Sequence, residues 1–328
     1  MNPHCPHCVH QTGLPLAKLA RVLDCVQAHV LGDASVTVFD VKQDSRRVER
    51  GDLFVARRGA QTDGLAHVRH ALERGASAVL VERGAPVPAL SVPLVEVTQV
   101  RLATALAAEA VHGHPTRSLP VVGITGTNGK TTTVWLVQHA LNALGARAAR
   151  LGTLGFAFAS EESEGSLTTP EADELSRLAA KVRAAGGTQL VMEVSSHALD
   201  QQRVHGLRFD VAGFTNLTQD HLDYHADMDA YAKAKEQLFQ TLRPRAAVIN
   251  VDDPYGRQIA ERFSGRVIRY GRTSEADVRP VDVVLDARGM DGRVAWPGGD
   301  GDAADALGGR TQPVQLALRH RRAVGAAL

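Results

Sequence analysis

Apolar positions along the chain follow two rhythms. Helical spacing through residues 14–31 (Leu16, Leu19, Ala20, Leu23, Val26, Val30) stops at Gly32 and predicts a first helix. Short β-type runs follow at residues 36–39, 53–56, 78–81 and 94–97, with a helical stretch at 66–74 closed by Gly75. Pro86, Pro88 and Pro93 mark a loop before the last of these runs. Strands alternating with helices predict a small α/β unit, and a helix at about 101–111 leads out of it. The second unit opens on an apolar run at 119–125 that ends in a glycine-rich turn, and a helix follows at 130–144. Further strands are predicted at 189–194, 211–215, 246–250 and 266–270, with helices at 171–185, 228–242 and 254–263. That alternation is the mark of a doubly wound, mostly parallel sheet. From Gly298 the text becomes Gly-, Asp- and Ala-rich, then Arg- and Ala-rich, and no element is predicted there.

Length agrees with two units, since 328 residues at roughly 150 per domain gives about two. The divisions expected are an extension at 1–13, a first domain at 14–100, a central domain at 101–312 and an atypical tail at 313–328. Lys and Arg number 37 against 36 Asp and Glu. This balance lacks the basic field that nucleic acid or a membrane surface attracts, so neither is expected as a partner. The longest uncharged stretch of the middle region, residues 131–146, has 16 residues, short of the ~20 a membrane span needs. The N-terminus has no basic start or apolar run of a signal peptide, and three cysteines make no disulfide framework. A monomeric cytoplasmic protein is the expectation. Cys5-Pro-His-Cys8 spells half of a zinc site, but a structural site needs four ligands and the other cysteine is Cys25, so an N-terminal extension is the reading. Only six of the basic residues are lysine, so a lysine in a special context points to a need for an amine.

One such lysine lies in Gly123-Ile-Thr-Gly-Thr-Asn-Gly-Lys-Thr-Thr-Thr133. A strand, a glycine turn and a helix N-terminus in that order aim backbone N–H groups at a phosphate. Lys130 is placed to neutralise the outer phosphates and Thr131 to ligate Mg²⁺, so ATP is the expected ligand. The generic P-loop has glycine where Ile124 stands, and only Gly126-Thr-Asn-Gly-Lys-Thr matches.

That spelling resembles the Mur ligase family, ATP-dependent amino-acid ligases of peptidoglycan precursor synthesis. Glu193-Val-Ser-Ser-His-Ala-Leu199 is similar to a strand-end motif of its MurE type, which adds the third amino acid. Asn216-Leu-Thr-Gln-Asp-His-Leu-Asp-Tyr-His225 with Tyr231-Ala-Lys-Ala-Lys-Glu236 resembles the catalytic segment. Asp44-Ser-Arg-Arg-Val48 and the stretch 51–64 resemble the UDP-sugar-binding segment. The resemblance runs from about residue 14 to 293.

It implies a ligase that transfers the γ-phosphoryl group of ATP to a carboxylate and lets an amine attack the acyl phosphate. Cations and metal ligands must then surround the phosphate. The resemblance assigns Lys130, Glu193, His221 and Lys235 to catalysis, and Mg²⁺ to Thr131, Glu193, His221 and Lys235. Lys235 would be carbamylated (N6-carboxylysine), which requires a neutral amine; by helical spacing it shares a face with Tyr231 and Phe239, and snorkelling is its other reading. Gly126, Thr127, Asn128, Gly129, Lys130, Thr131, Thr132, Asn250 and Asp253 would contact the nucleotide. Gln43, Ser45, Ala60, Gln61 and Thr62 match the uridine-diphosphate side. Thr168, Thr169, Ser195, Gln201 and Arg203 match positions that grip the muramoyl-dipeptide.

The implied substrates are UDP-N-acetylmuramoyl-L-alanyl-D-glutamate and a diamino acid, meso-diaminopimelate with L-lysine as the alternative. Family members continue into a third domain that binds the amino acid. Here Gly309-Arg310 is followed by Thr311-Gln312-Pro313, and the tail reads as a truncated or frameshifted continuation, with inactivity of the chain alone as the expectation. The competing readings are a non-catalytic nucleotide- or UDP-sugar-binding remnant and another Mur-type ligase such as folylpolyglutamate synthase.

Overall fold

Strand alternation builds the first sheet. Along Leu53–Ala56, Leu53 and Val55 enter one apolar core while Phe54 and Ala56 enter another. Parallel strands buried on both faces read as unbroken apolar runs, as this one does. The computed structural model describes residues 13–59, 63–220, 224–286, 289–297 and 299–302. They form two compact units: one holds the chain up to Leu119 together with Pro170–Ala185 and Asp200–Arg208, the other holds the remainder.

The first unit's five-stranded sheet runs His29–Leu31, Leu94–Val97, Ala78–Glu82, Leu53–Ala56, Val41–Lys42, parallel except at His29–Leu31. Helices Leu16–Val22 and Val100–Val111 supply Leu16, Leu19, Ala103 and Ala107 to one core. Helix Val68–Glu73 supplies Val68 and Ala71 to the other. The single helix expected over 14–31 is corrected. Its helix stops at Val22, Gln27 turns the chain with φ 51°, and His29–Leu31 pairs antiparallel with Leu94–Val97. Pairing with the sheet satisfies that segment's backbone groups, and this overrides the helical spacing.

Asp40 ties this unit together. Its buried carboxylate takes hydrogen bonds from Val41 N (2.7 Å), His112 Nε2 (2.9 Å) and Arg177 Nε (2.9 Å) and forms an ion pair with Lys42. Burial pushes the carboxyl up, but the His112 hydrogen bond and the charges of Arg177 and Lys42 outweigh it and hold it well below the usual carboxylate range. Arg177 comes from helix Ala172–Ala184, which is therefore fastened to the first sheet. Ser176 of the same helix donates to buried Glu109 (3.2 Å).

The second unit carries an eight-stranded sheet in the order Glu161–Ser163, Gly155–Phe158, Ala148–Gly152, Gln189–Glu193, Val121–Thr125, Val211–Phe214, Ala246–Asn250, Arg266–Tyr270. Six strands are parallel, and the two at the Glu161–Ser163 edge are antiparallel. Helix Lys130–Ala143 packs Val134 against Ile124 and Val191. The three strands at that edge escaped the sequence reading because Ala-Ala-Arg-Leu-Gly and Glu-Glu-Ser lack the β-branched residues that mark strands. A further antiparallel sheet, Arg279–Asp286, Gly289–Trp296 and Gly299–Asp302, places a strand just after Gly298, where none was expected. Among the described residues no helix is long and apolar enough to cross a membrane.

Replacing Asp40 with Ala takes their closest carboxylate from buried Lys42 and half-buried Arg177 and should cost about 3–5 kcal/mol, read by urea denaturation at neutral pH. An Asp with a depressed folded-state pKa stabilises the fold above the unfolded value near ~4 and loses that contribution as pH falls further. The gap between wild type and Asp40→Ala should therefore shrink in acid.

Candidate nucleotide and substrate site

Strand Val121–Thr125 lies inside the sheet, and its neighbours Gln189–Glu193 and Val211–Phe214 lie on opposite sides. The chain leaves such a strand at a topological switch point, where doubly wound sheets open a crevice. Gly126 follows with φ 140°, and a Cβ there would lie 1.9 Å from Thr215 Oγ1. Only glycine fits. Thr215 donates to Asn128 O (2.7 Å), Asn216 O accepts from Thr127 N (2.8 Å), and Asn216 Oδ1 accepts from Asn128 N (2.9 Å). Thr127 Oγ1 donates to Thr218 O (3.1 Å) and accepts from Thr218 N (3.0 Å). The segment 215–218, which spans the end of a predicted strand and the start of the stretch that resembles the family's catalytic segment, clamps the loop. Gly129 (φ 85°) turns it into the helix, with Thr131 half-buried and Thr132 exposed in the first turn.

Two amines meet inside this loop. Lys130 Nζ donates to Gly126 O (2.8 Å) and Thr127 O (2.8 Å), and Lys235 Nζ donates to the same Gly126 O (3.0 Å). Lys235 is 1% exposed, its Nζ lies 4.1 Å from the Tyr231 ring centroid, and Tyr231 Oη is 3.3 Å from Thr127 Oγ1. Burial and the neighbouring Lys130 pull the Lys235 amine down to about 7, against the opposing pull of Asp220. Burial also lowers Lys130, with Glu193 and Asp220 holding it up. Tyr231 stands one helical turn before Lys235, on the face that helical spacing assigns to both.

Glu193 ends its strand at 1% exposure, so it is not a solvated strand-end residue. Its carboxylate accepts from Thr153 N (2.7 Å) and Thr153 Oγ1 (3.3 Å). Gly152 permits that approach, since a Cβ there would meet Glu193 Oε1 at 2.2 Å. Thr153 Oγ1 lies 3.1 Å from Thr168 Oγ1, while Thr169 Oγ1 donates to Glu193 O (3.0 Å) and accepts from Ser195 N (3.0 Å). Thr168, Thr169, Ser195 and Glu193 therefore form one hydrogen-bonded knot, and Thr131 lines a small cleft with Glu193, Gly152, Arg150 and Trp135. Asn250 donates to Thr215 O (2.8 Å). Asp253 caps helix Pro254–Arg262 and accepts from Leu217 N (2.7 Å), binding the loop clamp to the next strand's end.

In the first unit, Gln43, Gln201 and Arg203 come together. Gln43 donates to Asp173 (2.8 Å) and accepts from Arg57 Nε (2.7 Å); Arg57 and Arg203 both pair with Glu171. Gln201 Oε1 accepts from Arg203 Nη2 (2.6 Å). Buried Ser45 lies apart from them in this network, 3.0 Å from His70 Nδ1. Ala60, Gln61, Thr62 and His221 lie outside the described residues, as do Cys5, Cys8 and the tail 313–328.

A glycine loop between a central parallel strand and a helix, with a lysine turned back into it, defines a phosphate-loop α/β protein. Two sequence families match: "Mur ligase family, catalytic domain" over residues 39–121 and "Mur ligase middle domain" over residues 124–312. The chain belongs to the Mur ligase family. It is 44% identical over 289 residues to the UDP-N-acetylmuramoyl-L-alanyl-D-glutamate–2,6-diaminopimelate ligase of Geobacter metallireducens, covering 86% of this chain and 56% of that protein. The protein of the same name from Bacillus licheniformis is 37% identical over 303 residues, covering 90% of this chain and 61% of its own length. The chain thus spans little more than half of these relatives. Its fold matches a solved diaminopimelate ligase of that name with a TM-score of 0.79 at 24% identity, over 96% of this chain and 63% of that one. It also matches MurF ligase from Thermotoga maritima, solved with ADP, with a TM-score of 0.60 at 20% identity, over 87% of this chain and 63% of that one.

Proposed function

We propose that this chain provides the nucleotide- and UDP-muramoyl-dipeptide-binding parts of a cytoplasmic ATP-dependent ligase that adds meso-diaminopimelate to UDP-N-acetylmuramoyl-L-alanyl-D-glutamate. The observation that carries it is the pair of amines on Gly126 O beside a glycine loop at a switch point. The names of the relatives favour diaminopimelate over lysine. In this reading Lys130 leaves the loop carbonyls for the outer phosphates of ATP, and the N–H groups of 126–131 take up phosphate oxygens. Gln43 and Ser45 serve the UDP end of the second substrate. Thr168, Thr169, Ser195, Gln201 and Arg203 serve its dipeptide, and Asn250 and Asp253 the adenosine side of ATP.

The donors present suit Mg²⁺. Glu193 offers a buried carboxylate whose hydrogen-bond partner is Thr153, and Thr131 offers a hydroxyl, both hard oxygen ligands. Among the described residues no cluster of three His, Cys, Asp or Glu side chains makes a full cage. Mg²⁺ characteristically keeps waters and shares phosphate oxygens, and its contribution when bound would be neutralisation of phosphate charge. Lys235, whose amine is drawn down to about 7 and is therefore partly neutral at neutral pH, is suited to add CO₂ with loss of a proton and so present a carboxylate in place of the amine.

Calorimetry with UDP-N-acetylmuramoyl-L-alanyl-D-glutamate should show binding to folded protein, and absence of heat would overturn the reading. ATP with Mg²⁺ should raise the melting temperature of wild type and leave Lys130→Ala unmoved; equal shifts would remove Lys130 from the phosphate site. In ¹³C-bicarbonate at alkaline pH, NMR should show a carbamate resonance that Lys235→Ala lacks, whereas identical spectra would leave Lys235 a free amine.

A further inference from the structure

The first unit holds two guanidinium groups on one carboxylate. Glu171 Oε2 lies 3.1 Å from Arg57 Nη2, and Glu171 Oε1 lies 3.2 Å from Arg203 Nε. The Arg side chains are 17% and 12% exposed, and the Glu side chain 29%. Each arginine fork is completed by a neutral amide: Arg57 Nε donates to Gln43 Oε1 (2.7 Å), and Arg203 Nε (3.1 Å) and Nη2 (2.6 Å) to Gln201 Oε1. Gln43 Nε2 reaches back to Glu171 Oε2 at 3.4 Å. Planar forks held by amides in this way are preorganised for anionic oxygens.

Glu171 is an unusual partner for them. It stands at the N-cap of helix Ala172–Ala184, yet its side chain makes no capping hydrogen bond. A carboxylate there would ordinarily accept from the first turn's N–H groups. Glu171 instead turns toward the two arginines. Asp173, which Gln43 also contacts, is engaged by Arg177.

We propose that Arg57 and Arg203 form an anion site and that Glu171 is its resident carboxylate, displaced when an anionic group of the UDP-muramoyl-dipeptide enters. The inference rests on the functional reading above and adds Arg57 and Glu171 to it. The shared ligand chemistry is a carboxylate or diphosphate oxygen pair. Because entry must break the internal pairs, Glu171 weakens binding and selects for ligands whose anion outcompetes it. Once released, its carboxylate is free to cap its own helix.

Glu171→Gln keeps the shape and removes the charge; Glu171→Ser removes the carboxylate and restores a favoured cap, so that one of the two keeps the fold. Calorimetry of both with UDP-N-acetylmuramoyl-L-alanyl-D-glutamate should give affinities about two- to fivefold tighter than wild type, the size of one partly exposed ion pair. Arg57→Gln should weaken binding by a similar factor. UDP-N-acetylglucosamine, which has the diphosphate and no carboxylate, identifies the displacing group. A gain with both ligands means the diphosphate, and a gain with the dipeptide ligand alone means a carboxylate. If wild type binds the dipeptide ligand and both Glu171 variants bind it equally or more weakly, Glu171 is a buttress and the displacement is wrong. Binding by none of the proteins would overturn the functional reading together with this one.

Discussion

The carbonyl oxygen of Gly126 accepts hydrogen bonds from two amines, and much of the second unit exists to make that arrangement tolerable. Two ammonium groups on one neutral oxygen repel each other, and burial deepens the cost. Lys235 responds with an amine drawn down to about 7 and a seat over the Tyr231 ring, where the aromatic face offers partial compensation. The loop itself is kept in a conformation open only to glycine by Thr215 and Asn216, with Asn250 holding Thr215 and Asp253 holding the adjoining Leu217. An anion arriving in the loop relieves the repulsion. Its binding energy is thus amplified by a tension already present in the free protein.

The first unit solves the opposite problem. Its cations have carboxylates, and the pairs form a relay: Lys42, Asp40, Arg177, Asp173, Gln43, Arg57, Glu171 and Arg203 are joined side chain to side chain. Charge-assisted hydrogen bonds of this kind fix orientation more than they add stability. Gln43 near one end of the chain and Arg203 deep in its middle are brought to one place with their donor directions set.

Much of this architecture was legible in the sequence. The two sheets, the phosphate loop and the helix after it follow from glycine placement and apolar spacing, because the glycines mark backbone conformations other residues avoid and the apolar runs mark faces that must be buried. Residues 14–31 misled because a strand at a sheet edge borrows its hydrogen bonds from a partner that the local pattern does not reveal. The strands around Arg150 and Phe156 were hidden for the same reason: their residues are ordinary, and pairing makes them strands. Glu193, Lys235, Gln201 and Arg203 came from the family resemblance, not from spacing. Thr153, Arg57 and Glu171 were missed because each acts through a contact across 14 or more residues.

The route of the chain gives the first unit a dependence on synthesis order. Its sheet is complete by residue 97, but helix Ala172–Ala184 joins it only after the chain has passed through Val121–Thr125 and Ala148–Gly152 of the other sheet, and the segment 200–208 only after Gln189–Glu193 as well. Until that helix has been made, Asp40 lacks Arg177 and Glu109 lacks Ser176. Contacts of such long sequence separation form late and slow folding. On the ribosome this unit therefore waits, half-finished, for a helix encoded more than seventy residues beyond its last strand.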